Sequence, residues 1–150
     1  MFLEALKSEQ KEIFNKLKYF PEFYLVGGTA LALQIGHRIS VDFDLFSEKE
    51  ISPKLLNKVK KIFKGFKIEI VINHSEQLSV NVNPVRDYKD KEKIKREQIS
   101  NEVNKMKIDF VKYNFSPLLA LPKFEGVKFL SVQEIAAAKA YTLGRRITFK

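Results

Sequence analysis

The stretch that decides the fold is Tyr24-Leu-Val-Gly-Gly-Thr-Ala-Leu-Ala-Leu-Gln-Ile-Gly-His-Arg-Ile-Ser-Val-Asp-Phe-Asp-Leu-Phe46. It opens with a short apolar run, Phe23–Val26, followed at once by Gly27-Gly28-Thr29 and the helix-forming Ala30-Leu-Ala-Leu-Gln34. Glycines at a strand-to-helix turn let backbone N–H groups approach a phosphate at the helix N-terminus. The stretch ends in Val41-Asp-Phe-Asp-Leu45, where acids alternate with apolar residues. A strand sends alternate side chains to opposite faces. Asp42 and Asp44 therefore share one face, while Val41, Phe43 and Leu45 occupy the other. Aspartate is a poor strand former, and two neighbouring carboxylates repel. Such a pair calls for a cation, and hard divalent ions take oxygen ligands. A phosphate cradle beside an acid pair points to phosphoryl or nucleotidyl transfer.

Outward from this stretch, the pattern alternates strands and helices. Apolar residues at helical spacing predict a helix over 2–19, ended by Pro21. A strand over 23–26, a helix over 29–35 closed by Gly36, and the acidic strand over 41–46 follow. Ser52-Pro53 starts a helix with the stripe Leu55, Leu56, Val59, Ile62 and Phe63. Strands are expected over 67–72 and 78–82, with a turn at Asn83-Pro84. Residues 87–105 are highly charged and read as an exposed insertion, a partly ordered helix with few core contacts. Met106–Tyr113 returns to a strand, and Val127–Leu130 suggests a short one. Ser131 caps a final helix, with Glu134 in the capping-box position. The order argues for a layered α/β or α+β domain.

The 150 residues suit one domain with a real core. No apolar run is long enough to cross a bilayer, and no signal peptide is visible at the N-terminus. The lack of cysteine excludes disulfides, thiolate metal sites and a cysteine nucleophile, and fits a cytoplasmic location. Two histidines make a multi-histidine metal site a poor expectation. A net charge of +9 favours an anionic partner, a nucleotide or a nucleic acid, although a lysine-rich proteome gives the same balance.

Several other residues can carry chemistry. Asp109 interrupts the apolar strand Ile108-Asp-Phe-Val, and beside the acid pair it would make a third carboxylate for a cation or a base for an attacking hydroxyl. Thr29 offers a hydroxyl beside the glycines, or merely an N-cap. Arg38 and Ser40 precede the acids, and Arg38 could neutralise phosphates or pair with the carboxylates. Lys139 and Arg146 lie seven residues apart on one helix face, where they could meet a triphosphate; cations near a helix C-terminus also suit its dipole. His37 and His74 read as surface or turn residues. The run Lys54, Lys58, Lys60, Lys61, Lys64 and Lys67 is a candidate RNA-facing surface or an ordinary solvated face.

Taken together, Gly27-Gly28, a spacer of thirteen residues and Asp42-Phe-Asp44 resemble the signature of polymerase-beta-like nucleotidyltransferases. More closely, Leu25–Leu33 with Gly36-His-Arg-x-Ser-x-Asp-x-Asp-Leu-Phe46 resembles the AbiEii/AbiGii toxin family. Ala138-Lys-Ala-Tyr-Thr-Leu-Gly-Arg-Arg146 is similar to that family's second motif. The resemblance implies a nucleotidyltransferase fold, a mixed β-sheet flanked by helices, and a Mg²⁺ (or Mn²⁺) site at Asp42, Asp44 and Asp109. It further implies nucleotide binding by Gly27, Gly28, Thr29, Arg38, Ser40, Lys139 and Arg146, with catalytic roles for the three aspartates and Lys139. The implied protein is a toxin of a toxin–antitoxin or phage-defence pair. It would use a nucleoside triphosphate to modify tRNA or protein and be held by an antitoxin.

Two departures stand out. The family continues its second motif with an acid and a helical C-terminal region beyond Lys150, which predicts weak transfer by this chain alone. The charged segment 87–105 is also longer than the usual link to the third-acid strand. Two rival readings are a small-molecule (aminoglycoside-type) nucleotidyltransferase and a catalytically inactive nucleic-acid- or partner-binding module.

Overall fold

The computed structural model describes residues 1–84 and 105–147, with side chains through Tyr141. Most of the charged segment 87–105 therefore lies outside the described residues. A five-stranded mixed sheet forms the centre, in the order β1-β2-β5-β4-β3. Its strands are β1 (Tyr24–Val26), β2 (Phe43–Ser47), β3 (Phe66–His74), β4 (Gln77–Pro84) and β5 (Met106–Lys112). The one parallel pair is β2 with β5; the other neighbours are antiparallel. The helices are α1 (Ser8–Leu17), α2 (Gly27–Ile35), α3 (Leu55–Ile62) and α4 (Val132–Ile147). A two-stranded ribbon, β6 (Lys123–Phe124) and β7 (Val127–Lys128), joins the sheet's edge through a bridge from Phe129 to Leu25.

The core lies on one face of the sheet. Phe43 and Leu45 of β2, Ile108 and Phe110 of β5, and Leu78, Val80 and Val82 of β4 are all buried there. Ile13, Phe14 and Leu17 of α1 and Leu55 and Val59 of α3 cover them, with Phe63 just past α3. Phe20 packs 5.0 Å from Phe110 and 6.4 Å from Phe63, ring centroid to centroid. Alternation then sends Asp44, Lys107, Asp109 and Ser79 to the opposite face, away from α3.

Three local readings are corrected. The first helix does not run from 2 to 19: a short 3₁₀ turn, Leu3–Ala5, is separated from α1 by an extended break at Leu6 and Lys7. The break lets Ala5 accept a hydrogen bond from the Ser40 N–H at 3.2 Å, a partner no helical pattern reveals. Asn83-Pro84 is not a turn; both residues stay in β4, opposite Lys67 and Phe66 of β3. Proline is tolerated there because it stands at the strand's end. Helix α2 begins at Gly27 rather than Thr29, so the glycines form its first turn.

Candidate active site

The register brings the acids together. Asp44 of β2 is paired with Asp109 of β5 in the parallel ladder, and Ser79 of β4 lies opposite Asp109 on its other side. On the remaining flank Asp44 pairs with Val26, the residue before α2. Asp42 sits just ahead of β2, exposed, two residues from Asp44. Burial first, then the charges of Asp109 and Asp42, push the Asp44 carboxyl above its ordinary value; Lys107 pulls it back. Asp109 gives one oxygen to the Lys107 ammonium at 2.8 Å. Its other oxygen, Oδ1, is buried with no hydrogen-bond partner. Among the described residues no three acidic or imidazole groups stand close enough to form a ready-made cation cage.

The glycines prove to be spacers. Gly27 has a φ of +70°, and a Cβ at that position would run into Oδ2 of Asp44. A Cβ on Gly28 would meet Nη2 of Arg38. The first turn of α2 is thus flanked by a carboxylate and a guanidinium. A cation over a helix N-terminus has the unfavourable sign for the helix dipole. An anion between Arg38 and the N–H groups of that turn would satisfy both.

A buried network holds the segment leading to Asp42. The Thr29 hydroxyl, 1% exposed, bonds to the Ser40 hydroxyl at 2.8 Å and donates to the Asp42 carbonyl. This hydroxyl points inward and supports the acid loop. Sequence reasoning missed Gln10, also 1% exposed. Its Nε2 donates to the carbonyls of Ser40 at 2.6 Å and Val41 at 3.0 Å, and its Oε1 accepts from the Lys7 N–H at 2.8 Å. A polar residue on the apolar side of α1 was its one sequence signal, but its partners stand thirty residues away. Gln10→Ala should cost roughly 1–3 kcal/mol by leaving two carbonyls without this donor. Urea denaturation would measure the loss, and Gln10→Glu, which cannot donate to the carbonyls, should not restore it.

The remaining sequence candidates are more dispersed. Lys139 is exposed on α4; Arg146 falls in the same helix, with its side chain outside the described residues. Glu134 accepts the Ser131 hydroxyl at 3.0 Å and the Leu118 N–H at 2.6 Å, so it ties a loop to α4 besides capping it. His37 is exposed, and His74 ends β3, where its Nδ1 accepts the Glu76 N–H. The α3 lysines face away from the acids. Lys58 is drawn into an ion pair with Glu22 at 3.0 Å and lies 5.1 Å from the Phe20 ring centroid.

Comparison with known proteins agrees with this geometry. Residues 11–150 match the family described as nucleotidyl transferase AbiEii toxin, type IV toxin–antitoxin system, and the chain belongs to that family. Two Helicobacter pylori crystal structures share the fold. One is described as a candidate nucleotidyltransferase: TM-score 0.62, 22% identity, 87% of this chain and 55% of that one. The other, JHP933, has a TM-score of 0.63 and 20% identity, covering 89% of this chain and 57% of that one. An uncharacterized protein of Aquifex aeolicus is 47% identical over 51 residues, which is 32% of this chain and 25% of its own length. The chain thus spans little more than half of the solved relatives and a quarter of that curated one. Among the described residues no helix is long and apolar enough to cross a membrane.

Proposed function

We propose that this chain is a Mg²⁺-dependent nucleotidyltransferase domain, the toxin side of a toxin–antitoxin pair acting in the cytoplasm. It would move a nucleoside monophosphate from a nucleoside triphosphate to an acceptor hydroxyl on tRNA or protein. One observation carries the reading: Asp44 and Asp109 are register partners on adjacent strands, directly beside the α2 turn that Arg38 overhangs. Family membership supports it.

The residues fit a divalent cation. Asp42 and Asp44 stand two residues apart, and crowding among the acids raises the Asp44 carboxyl, a strain that a cation would relieve. Asp42 and Asp44 would hold Mg²⁺ or Mn²⁺, with Asp109 completing the ligand set or serving as base. When bound, such an ion neutralises phosphate charge and polarises phosphoryl oxygens.

The chain's own groups then have separable tasks. Backbone N–H groups at Gly28 and Thr29 would receive the β- and γ-phosphates, with Arg38 balancing their charge. Ser40 and Thr29 keep the acid loop in place. Lys139 and Arg146 would bind the triphosphate from α4. The acceptor oxygen attacks the α-phosphorus in line, and its new bond replaces the bond to the bridging oxygen of pyrophosphate. The leaving pyrophosphate carries away the electron pair, and the hydroxyl proton passes to Asp109. A single domain over 1–150 is part of this proposal, as are the charged 87–105 insertion and the antitoxin partner.

Thermal unfolding tests the site. Mg²⁺ together with a nucleoside triphosphate should raise the wild-type melting temperature, the binding being worth about 2.7 kcal/mol at roughly one hundred times Kd. Asp42→Asn and Arg38→Ala should both lose most of that rise. An equal rise in all three proteins would mean that the nucleotide binds elsewhere.

A further inference from the structure

Lys107 has no part in the scheme above, yet it stands inside the acid cluster. It precedes Asp109 by two residues on β5 and so projects from the same face. Its Nζ lies 2.8 Å from Oδ2 of Asp109. Continuing the β2–β5 register by one residue places Asp42 beside it, since Phe43 pairs with Ile108. The ammonium therefore sits on Asp109, with Asp42 in the flanking register position. Its neighbour across β4 is Asn81, which carries no charge. Among the described residues, Lys107 is the cation paired with Asp109.

We infer that Lys107 is a built-in counter-cation that divides the acid cluster, holding Asp109 out of the ligand set so that a divalent ion is bound by Asp42 and Asp44. The inference rests on the proposed metal site and assigns its occupancy. An ion that drew Asp109 into its ligand set would meet the like charge of the ammonium already seated on Oδ2. The same ion pair keeps Asp109 oriented with Oδ1 unoccupied, the oxygen left to take a proton. A plain surface pair would behave differently, because exposed ion pairs are weak and organise nothing.

Metal binding separates these cases without any activity measurement. Free Mn²⁺ is followed by electron paramagnetic resonance in titrations of wild type, Lys107→Met, Asp109→Asn and the double variant. Lys107→Met keeps much of the apolar stem and removes the charge. It should bind Mn²⁺ about tenfold more tightly, because it removes a like charge beside the incoming cation. Asp109→Asn should scarcely change binding in the wild-type background but should cancel the gain in the Lys107→Met background. Lys107→Arg, which keeps the charge, should behave as wild type. Circular dichroism would confirm that each variant is folded. Unchanged or weaker binding by a folded Lys107→Met protein would overturn the inference alone. Absence of Mn²⁺ binding in every folded variant would overturn it together with the metal site beneath it.

Discussion

Asp44→Asn should remove nucleotide transfer and, without metal, make the protein more stable. Loss of activity on the order of 10³-fold is expected, the scale of removing one preorganised electrostatic group. The gain in stability follows from the sign of the pKa shift. Burial and the neighbouring acids raise the folded-state value of Asp44 above its unfolded one. The folded state then binds this proton more tightly, so the contribution is favourable below the unfolded value. It is lost as pH rises through the raised folded value, and at neutral pH the ionised group is a burden. Replacing it with a neutral amide relieves that burden. Urea melts of wild type and Asp44→Asn across the acidic range should diverge as pH rises, the variant being the more stable at pH 7. A variant that is less stable at neutral pH would show that Asp44 is held by favourable partners rather than crowded by acids.

Gly27→Ala should damage the site from outside the carboxylates. The residue occupies the left-handed region at φ +70°, which costs a non-glycine residue about 1–2 kcal/mol. The added methyl must also displace Oδ2 of Asp44, because that oxygen occupies its space. A misplacement of this size can cost roughly 10² in rate. The expected result is modest destabilisation with a much larger fall in kcat, and weaker metal-nucleotide stabilisation of the fold. Gly65, also left-handed at φ +92° but with open space around it, is the control: Gly65→Ala should show the backbone cost alone. Equal activity loss in the two variants would remove Gly27's role as a spacer for Asp44.

These effects show where the sequence was informative. The glycine pair and alternating acids could be read directly because their chemistry is local: a strand, a tight turn and a second strand within Tyr24–Phe46. The place of Asp109 was also legible, since an acid in an apolar strand has few reasons to be there. What the glycines avoid was not legible, because Asp44 and Arg38 reach them only through folding. Gln10 was hidden for the same reason, its carbonyl partners lying thirty residues on. Lys107 looked like one lysine among many until β5 and β2 were in register. The break at Leu6–Lys7 escaped notice because apolar spacing continues through it, and tertiary hydrogen bonds interrupt the helix. The basic run on α3 was the opposite case. Its charge was plain, but its helical members sit on the core side of the sheet, away from Asp44 and Asp109, while Lys67 lies on β3 opposite Asn83, on the acids' face.

The most direct test of nucleotidyl transfer uses one nucleoside triphosphate labelled in turn at its α- and γ-phosphate, incubated with Mg²⁺, the chain and total tRNA or cell protein. Each nucleotide is tried with wild type and with Asp44→Asn. The account predicts α-label on the acceptor, γ-label in pyrophosphate, and neither product with Asp44→Asn. Label from the γ-phosphate on the acceptor, or α-label transfer that survives Asp44→Asn, would contradict it.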